Sequence, residues 1–188
     1  MNPAVILIVV GVLVLLWIIG MYNGLIRRKN EVDNAFGGMD VQLKKRYDLI
    51  PNIVATVKQF ANHEKELLEK VTEMRARATS GTLSNDEKVT LDNQISAGMK
   101  SIMVSVENYP DLKSNENFMN LQRTMNEVES QISAARRAYN ATITDYNNGI
   151  EVFPKSIIAG MMNLKRKEVF VIPEVERENV NVKDLFAN

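Results

Sequence analysis

Cysteine is absent from the 188-residue sequence, and His63 is its only histidine. Without cysteine there are no disulfides, no thiolate metal sites and no cysteine nucleophiles. One histidine cannot build the paired Glu-x-x-His motifs of a di-iron four-helix bundle, and it is poor support for a Ser-His-Asp triad. The phosphate-loop pattern Gly-x-x-x-x-Gly-Lys-Ser/Thr is also missing. We therefore predict a protein that is not an enzyme and has no catalytic residues, metal or cofactor.

An excess of either charge is also missing, because 23 basic residues balance 23 acidic ones. Such a chain has no overall field that attracts nucleic acid. The triplet Lys44-Lys45-Arg46 is interpreted as a solvated helix face. No nucleic-acid partner is predicted.

Aromatic residues, glycine and proline are scarce, whereas there are ten methionines. This composition suits packed helices. Pro51, Pro110 and Pro154 divide the chain, and long proline-free stretches lie between them. Each proline is expected to separate two helices, since the residue before proline avoids the α region.

One long apolar run is present, from Pro3 to Met21, with no charge among its nineteen residues. As a helix it is about 28 Å long, close to the hydrocarbon thickness of a bilayer. Its thirteen Val, Ile and Leu residues favour insertion by about −4 to −8 kcal/mol at most. We predict a transmembrane anchor over residues 1–22. Its marker positions are Pro3, Leu7, Gly11, Leu15, Trp17, Met21 and Tyr22.

The anchor is expected to be retained, because no small-residue cleavage site follows it. Arg27, Arg28 and Lys29 follow the run, whereas no basic residue precedes it. The positive-inside rule then places the N-terminus outside and the body in the cytoplasm. We predict a single-pass protein of the bacterial cytoplasmic (inner) membrane, with the lipid bilayer as its first partner.

The body shows apolar residues three and four apart, which predicts amphipathic helices. The predicted helices cover about 25–49, 51–79, 85–109 and 115–150, and Ser84 with Glu87 forms a capping box before the third. Short connections make neighbouring helices antiparallel. The predicted fold is all-α: the anchor, an elongated antiparallel four-helix bundle over 23–152, and a membrane-proximal short helix with an extended tail over 153–188.

Polar residues around Pro51 have two interpretations. Asp40, Arg46, Asp48 and Asn52 are expected to join Asn140 or Asn147 in a network that sets helix register, because unpaired polar groups in a core cost about 1 to 3 kcal/mol. The alternative is a ligand site.

The segment after Phe153 also has two interpretations. Its apolar side chains lie beside the basic cluster Lys165, Arg166 and Lys167, which is the pattern of a short interfacial helix. The alternative is a cap over the open end of the bundle. The apolar side chains concerned are Phe153, Ile157, Ile158, Met161 and Met162.

The stretch from Asp40 to Lys58, followed by His63-Glu64, resembles the signature of the LemA family. Further matches occur along nearly the whole chain, whereas Leu164 and Val169-Phe170-Val171 depart from the aromatic and acidic ending typical of members. The resemblance implies a bacterial single-pass membrane protein with a mostly helical, four-helix-bundle domain, and relatives associated with forming magnetosome membranes. The further matches are Tyr22-Asn23, Tyr139-Asn140, Tyr146-Asn147, Phe153-Pro154 and Ile157-Ile158-Ala159.

Two functional hypotheses follow. The first is a non-enzymatic scaffold that forms homo-oligomers and organises or shapes the membrane, suggested by long helical faces with a period near 3.5. The second is an adaptor that holds an unidentified cytoplasmic enzyme or sensor at the membrane.

Overall fold

The computed structural model describes residues 2–61 and 63–170, apart from the side chain of Asp86, and all its regular elements are helices. No strand occurs within these ranges. The helices are α1 (Pro3–Phe60), α2 (Lys65–Ala78), α3 (Asn85–Val106), α4 (Pro110–Lys113), α5 (Glu116–Glu151) and α6 (Lys155–Met161).

Helix α1 joins the apolar run to the folded body without interruption. Asn2 caps its start by accepting a hydrogen bond from the Ala4 amide at 3.2 Å. Its 58 residues correspond to about 87 Å of helix. The apolar run and the first amphipathic segment are therefore one continuous element.

The predicted helix break at Pro51 is wrong, because α1 continues to Phe60. Buried Ile50, Ile53 and Val57 carry the core-facing side across the proline. Proline has no N–H for the carbonyl oxygen four residues earlier, and that oxygen belongs to Tyr47. Arg75 of α2 donates to it from Nε at 3.0 Å. The predicted helix 51–79 is thus the end of α1 followed by the separate helix α2.

The predicted start of the third helix is confirmed. The Ser84 amide donates to the Glu87 carboxylate at 2.8 Å, and Ser84 Oγ accepts from the Glu87 amide at 3.3 Å. The predicted end at residue 109 is wrong: α3 stops at Val106, and a single turn, α4, begins at Pro110. The predicted last helix, 115–150, agrees with α5 within one residue.

Helix α1 packs most extensively on α5, and α2 packs on α3. Along α1 in chain order, Arg28 contacts Asp145, Phe36 contacts Tyr139 and Arg46 contacts Glu129. Residue numbers therefore rise along α1 and fall along α5. The four-helix bundle as a whole stays a prediction, whereas the all-helical class with a long apolar N-terminal helix is confirmed.

Candidate functional site

Among the described residues, nothing packs over the apolar run of α1. Every side chain from Pro3 to Gly20 is exposed, and Met21 and Leu25 are the first buried ones. Within the described residues, α1 is the one helix long and apolar enough to cross a membrane. An uninterrupted exposed apolar surface of this length is unfavourable in water and suits lipid. Of the predicted anchor positions, Pro3, Leu7, Gly11, Leu15 and Trp17 lie on this surface, whereas Met21 is buried at its C-terminal end and exposed Tyr22 follows it.

The three basic residues after the run have different surroundings. Arg27 and Lys29 are exposed. Arg28 lies against the end of α5, where its Nη1 donates to the Asp145 carbonyl oxygen at 2.5 Å. A Cβ at Gly149 would come within 2.7 Å of Arg28 Cδ, so a larger residue there would displace the Arg28 side chain from this position. Arg28 therefore ties α5 to the beginning of the packed body.

A buried cluster of charges joins three helices at the middle of the body. Asp92 of α3 is fully buried and pairs with Arg46 of α1 and with Arg136 of α5, the latter at 2.5 Å. Arg46 is 1% exposed and also contacts Glu129 at 2.6 Å and Ser96 Oγ at 2.7 Å. Burial lowers the pKa of Arg46, and the Glu129 carboxylate opposes that shift. Because buried charges need partners, this cluster couples the helices to one register.

Tyr47 links the same cluster to α2. Its hydroxyl donates to Asp92 Oδ1 at 3.3 Å, and its carbonyl oxygen accepts from Arg75. Burial raises the pKa of Tyr47 to about 12, with the Arg46 charge opposing the shift. Contacts from α1, α2, α3 and α5 thus converge at residues 46 and 47.

The network predicted around Pro51 does not form, apart from Arg46. Asp40 pairs with Lys88 at 2.8 Å, and Asp48 pairs with Lys44 one helical turn away on the surface. Asn52 is exposed. Asp48 is exposed as well, and half-buried Asp40 joins α1 to α3 through Lys88 instead of joining Arg46.

Sequence reasoning missed Asp92, Glu129 and Arg136, although a signal was available. Arg136 lies four residues after buried Ile132 and three before buried Tyr139, and Asp92 lies three before buried Ile95. A charged residue at core spacing predicts a buried pair, because an isolated charge there is too costly.

Asn140 and Asn147 hold the backbone of the chain's own tail. Asn147 donates to the Lys167 carbonyl oxygen at 2.8 Å and accepts from its amide at 2.9 Å. Asn140 makes the same pair of bonds with Phe170, at 2.9 and 2.7 Å. Seven residues of helix and three of extended chain both span about 10 Å, so the spacings match. The predicted role of these asparagines in a bundle network is therefore wrong.

Phe170 packs against the buried charge cluster through Arg136. It is buried, and its ring centroid lies 4.5 Å from the Arg136 guanidinium carbon. The remainder of the predicted tail, from residue 171 on, lies outside the described residues.

The predicted interfacial segment is divided between core and surface. Ile158 and Met162 pack against the core beside buried Ala159. Phe153, Ile157 and Met161 are instead exposed.

An open apolar groove of about 570 Å³ lies between the end of α1 and α2, far from the apolar run. Val54, Ala61 and Leu68 line its floor, and Lys58 and Glu73 are among its charged edges. Such a groove suits the apolar side of a partner helix.

His63 is exposed. In the part of the chain that the structure describes, no three His, Asp or Glu side chains lie close enough together to hold a metal ion. The absence of a metal and of catalysis remains an expectation from the sequence.

The helices and the exposed apolar run define an all-helical protein with one segment suited to crossing a membrane. The LemA family model matches residues 35–183, and the chain belongs to the LemA family.

Two kinds of relatives are similar to it. Protein LemA of Metamycoplasma hominis is 27% identical over 167 residues, covering 89% of this chain and 76% of that protein. Magnetosome protein MamQ of Magnetospirillum gryphiswaldense is 21% identical over 79% of this chain and 64% of that protein. Magnetosome protein MamQ 2 of Paramagnetospirillum magneticum is 32% identical over 69 residues, covering 37% of this chain and 25% of that protein. The chain thus spans less than two thirds of either MamQ protein.

Proposed function

We propose that this chain is a membrane-anchored, non-enzymatic scaffold whose copies associate and organise or shape the bacterial cytoplasmic membrane. Helices α1, α2, α3 and α5 form an antiparallel bundle on the cytoplasmic side. Its partners are other copies of the same chain and the lipid bilayer.

One observation carries the proposal: the exposed apolar run and the core-forming half of α1 are a single helix. A continuous helix transmits position and orientation from bilayer to body, which suits a scaffold. The relatives named as magnetosome proteins support a role connected with a membrane compartment.

The assembly state of the full chain in a bilayer tests the proposal. The protein is extracted into lipid nanodiscs at cellular density and counted by native mass spectrometry. We expect discrete oligomers, and a strict monomer would contradict the scaffold.

Paired variants locate the contact. Gly20 and Gly24 lie on one side of α1, with open space where a Cβ would be. Small residues four apart allow close helix pairing in membranes. Gly20→Leu with Gly24→Leu blocks association through that side. Gly11→Leu, on the opposite side of the same helix, is the matched control.

The groove between α1 and α2 favours a second function, that of an adaptor for a cytoplasmic enzyme or sensor. Exposed Thr72 and Ala76 lie along the groove. Ala76→Arg is expected to abolish proximity labelling of one heterologous partner, whereas a scaffold labels mainly its own copies. Arg77→Ala, an exposed change on the same helix, is the control.

A further inference from the structure

We propose that α6 and the turn before it form a second membrane contact, which lies in the headgroup region of the bilayer that α1 crosses. The contact surface consists of Val152, Phe153, Ile157 and Met161. This inference rests on the proposed membrane anchoring and adds a site to it.

The four side chains are exposed while their neighbours are packed. Their exposed fractions are 58% for Val152, 76% for Phe153, 58% for Ile157 and 84% for Met161. On the other side of α6, Ala159 is buried and Ile158 packs on the core. Helix α6 is thus attached to the body by one side, and its opposite side is apolar and is not covered by any part of the chain that the structure describes.

The position of α6 along α1 places this surface at the membrane boundary. Helix α5 ends two residues beyond Gly149, which lies against Arg28. Helix α6 follows and packs on both α5 and α1. From Arg28, α1 needs seven residues, or about 10 Å, to reach buried Met21, and every residue from Gly20 back to Pro3 is exposed. The α6 surface therefore adjoins the exposed run of α1.

Charges around the surface fit a bilayer with anionic lipids. Lys155 begins α6, and exposed Lys165 and Arg166 follow it. Arg166 also pairs with Glu151 at 2.5 Å. Exposed Arg27 and Lys29 lie on α1 near the same level. Apolar side chains flanked by basic ones are typical of segments that lie in the membrane interface.

We assign lipid as the occupant because the α6 surface adjoins the apolar run of α1. A bilayer that surrounds the apolar run of α1 also reaches the α6 surface, so no further partner is needed to cover it. A body attached at two points cannot tilt freely about α1, which holds the cluster of Arg46 and Asp92 at a set height above the membrane.

Tryptophan fluorescence tests the contact, since Trp17 is the chain's only tryptophan. Full-length Trp17→Phe protein carrying Phe153→Trp, Met161→Trp or Val104→Trp is reconstituted into vesicles of phosphatidylcholine and phosphatidylglycerol. A second set of vesicles carries bromine high on the acyl chains. Val104 is 65% exposed but lies near the distal end of α3, so it is the matched control.

We expect bromine to quench the tryptophans at positions 153 and 161 at least twofold and to leave position 104 unchanged. Unquenched emission at 153 and 161 would overturn the inference. If those positions are unquenched yet shielded from aqueous iodide, a second copy covers the patch, and the inference is also wrong. The unsubstituted protein, with its native Trp17, separates the α6 contact from the membrane anchoring on which it rests. If bromine quenches Trp17, the anchoring holds even when the α6 contact fails. If bromine does not quench Trp17, both proposals are wrong.

Discussion

At the scale of single residues, the protein places charges where its periodicity calls for apolar side chains. Arg46, Asp92 and Arg136 all lie on the core sides of their helices. Together with Glu129 they make two positive and two negative charges, so each buried charge has a partner of opposite sign. Removing one member of the cluster should therefore lower the free energy of unfolding more than replacing the whole cluster with apolar side chains would.

Asp92→Ala tests that dependence. Two buried guanidinium groups lose their shared carboxylate, so we expect a loss of about 3 to 5 kcal/mol in the free energy of unfolding. Urea denaturation in detergent measures it. Asp48→Ala is the control, since exposed Asp48 pairs with exposed Lys44, and we expect a change within about 0.5 kcal/mol. Equal effects of the two substitutions would contradict the buried cluster.

The raised pKa of Tyr47 predicts that the protein loses stability at high pH. Its pKa is raised to about 12 in the folded chain, whereas an unfolded tyrosine titrates near 10. The folded state then holds a proton that the unfolded state releases, so this stabilisation is complete below pH 10 and disappears as pH rises from 10 to 12.

We expect Tyr47→Phe to remove up to about 2 to 3 kcal/mol of that decline, measured by urea denaturation from pH 8 to 12. Some decline remains, because burial also raises the pKa of Tyr146. An unchanged decline in Tyr47→Phe would refute the assignment.

At the scale of helices, long-range contacts override local preference. Pro51 does not end α1, because both sides of the proline bury apolar side chains and Arg75 occupies the carbonyl that proline leaves without its usual donor. Asn140 and Asn147 similarly hold the backbone of the tail at Lys167 and Phe170 through side-chain hydrogen bonds.

A double-mutant cycle tests the Pro51–Arg75 relation. Arg75→Ala leaves the Tyr47 carbonyl without its donor and should cost about 1 to 2 kcal/mol. With Pro51→Ala present, the residue 51 amide can bond that carbonyl, so the same change should cost about 1 kcal/mol less. Arg77→Ala, exposed on the same helix, should show no such coupling. If the two substitutions change the free energy of unfolding by strictly additive amounts, the coupling between residues 51 and 75 is excluded.

Two glycines inside helices should respond in opposite ways to alanine. A Cβ at Gly38 meets open space, so Gly38→Ala should stabilise the protein by up to about 1 kcal/mol. A Cβ at Gly98 would lie 2.7 Å from Val71 Cγ2, and Val71 is fully buried. Gly98→Ala should therefore cost about 1 to 3 kcal/mol. Urea midpoints compare the two, and a stabilising Gly98→Ala would contradict the close α2–α3 packing.

At the scale of the whole molecule, one helix carries both the membrane segment and the longest side of the core. The orientation of that helix therefore sets the side of the membrane on which every other element lies.

Orientation can be tested directly, because the chain has no cysteine. Asn2→Cys and Val104→Cys each provide one label site for a membrane-impermeant maleimide. The positive-inside rule predicts that intact cells label at position 2, and that position 104 labels only after permeabilisation. The reverse pattern would invert the topology.

The sequence alone determined the features that depend on neighbours within a few turns. The apolar run, the helical periodicities, the start of α3 at Ser84 and the extent of α5 follow from side chains close together in the chain. The family resemblance added the class of protein through a local signature.

Only the tertiary structure decided the continuation of α1 through Pro51, the charge cluster, the tail contacts and the division of α6 into packed and exposed sides. Arg136 and Asp92 are 44 residues apart, and Asn140 and Phe170 are 30 apart. Whether such groups meet depends on how whole helices pack. A local pattern can show that a charge needs a partner, but the fold determines which residue supplies it.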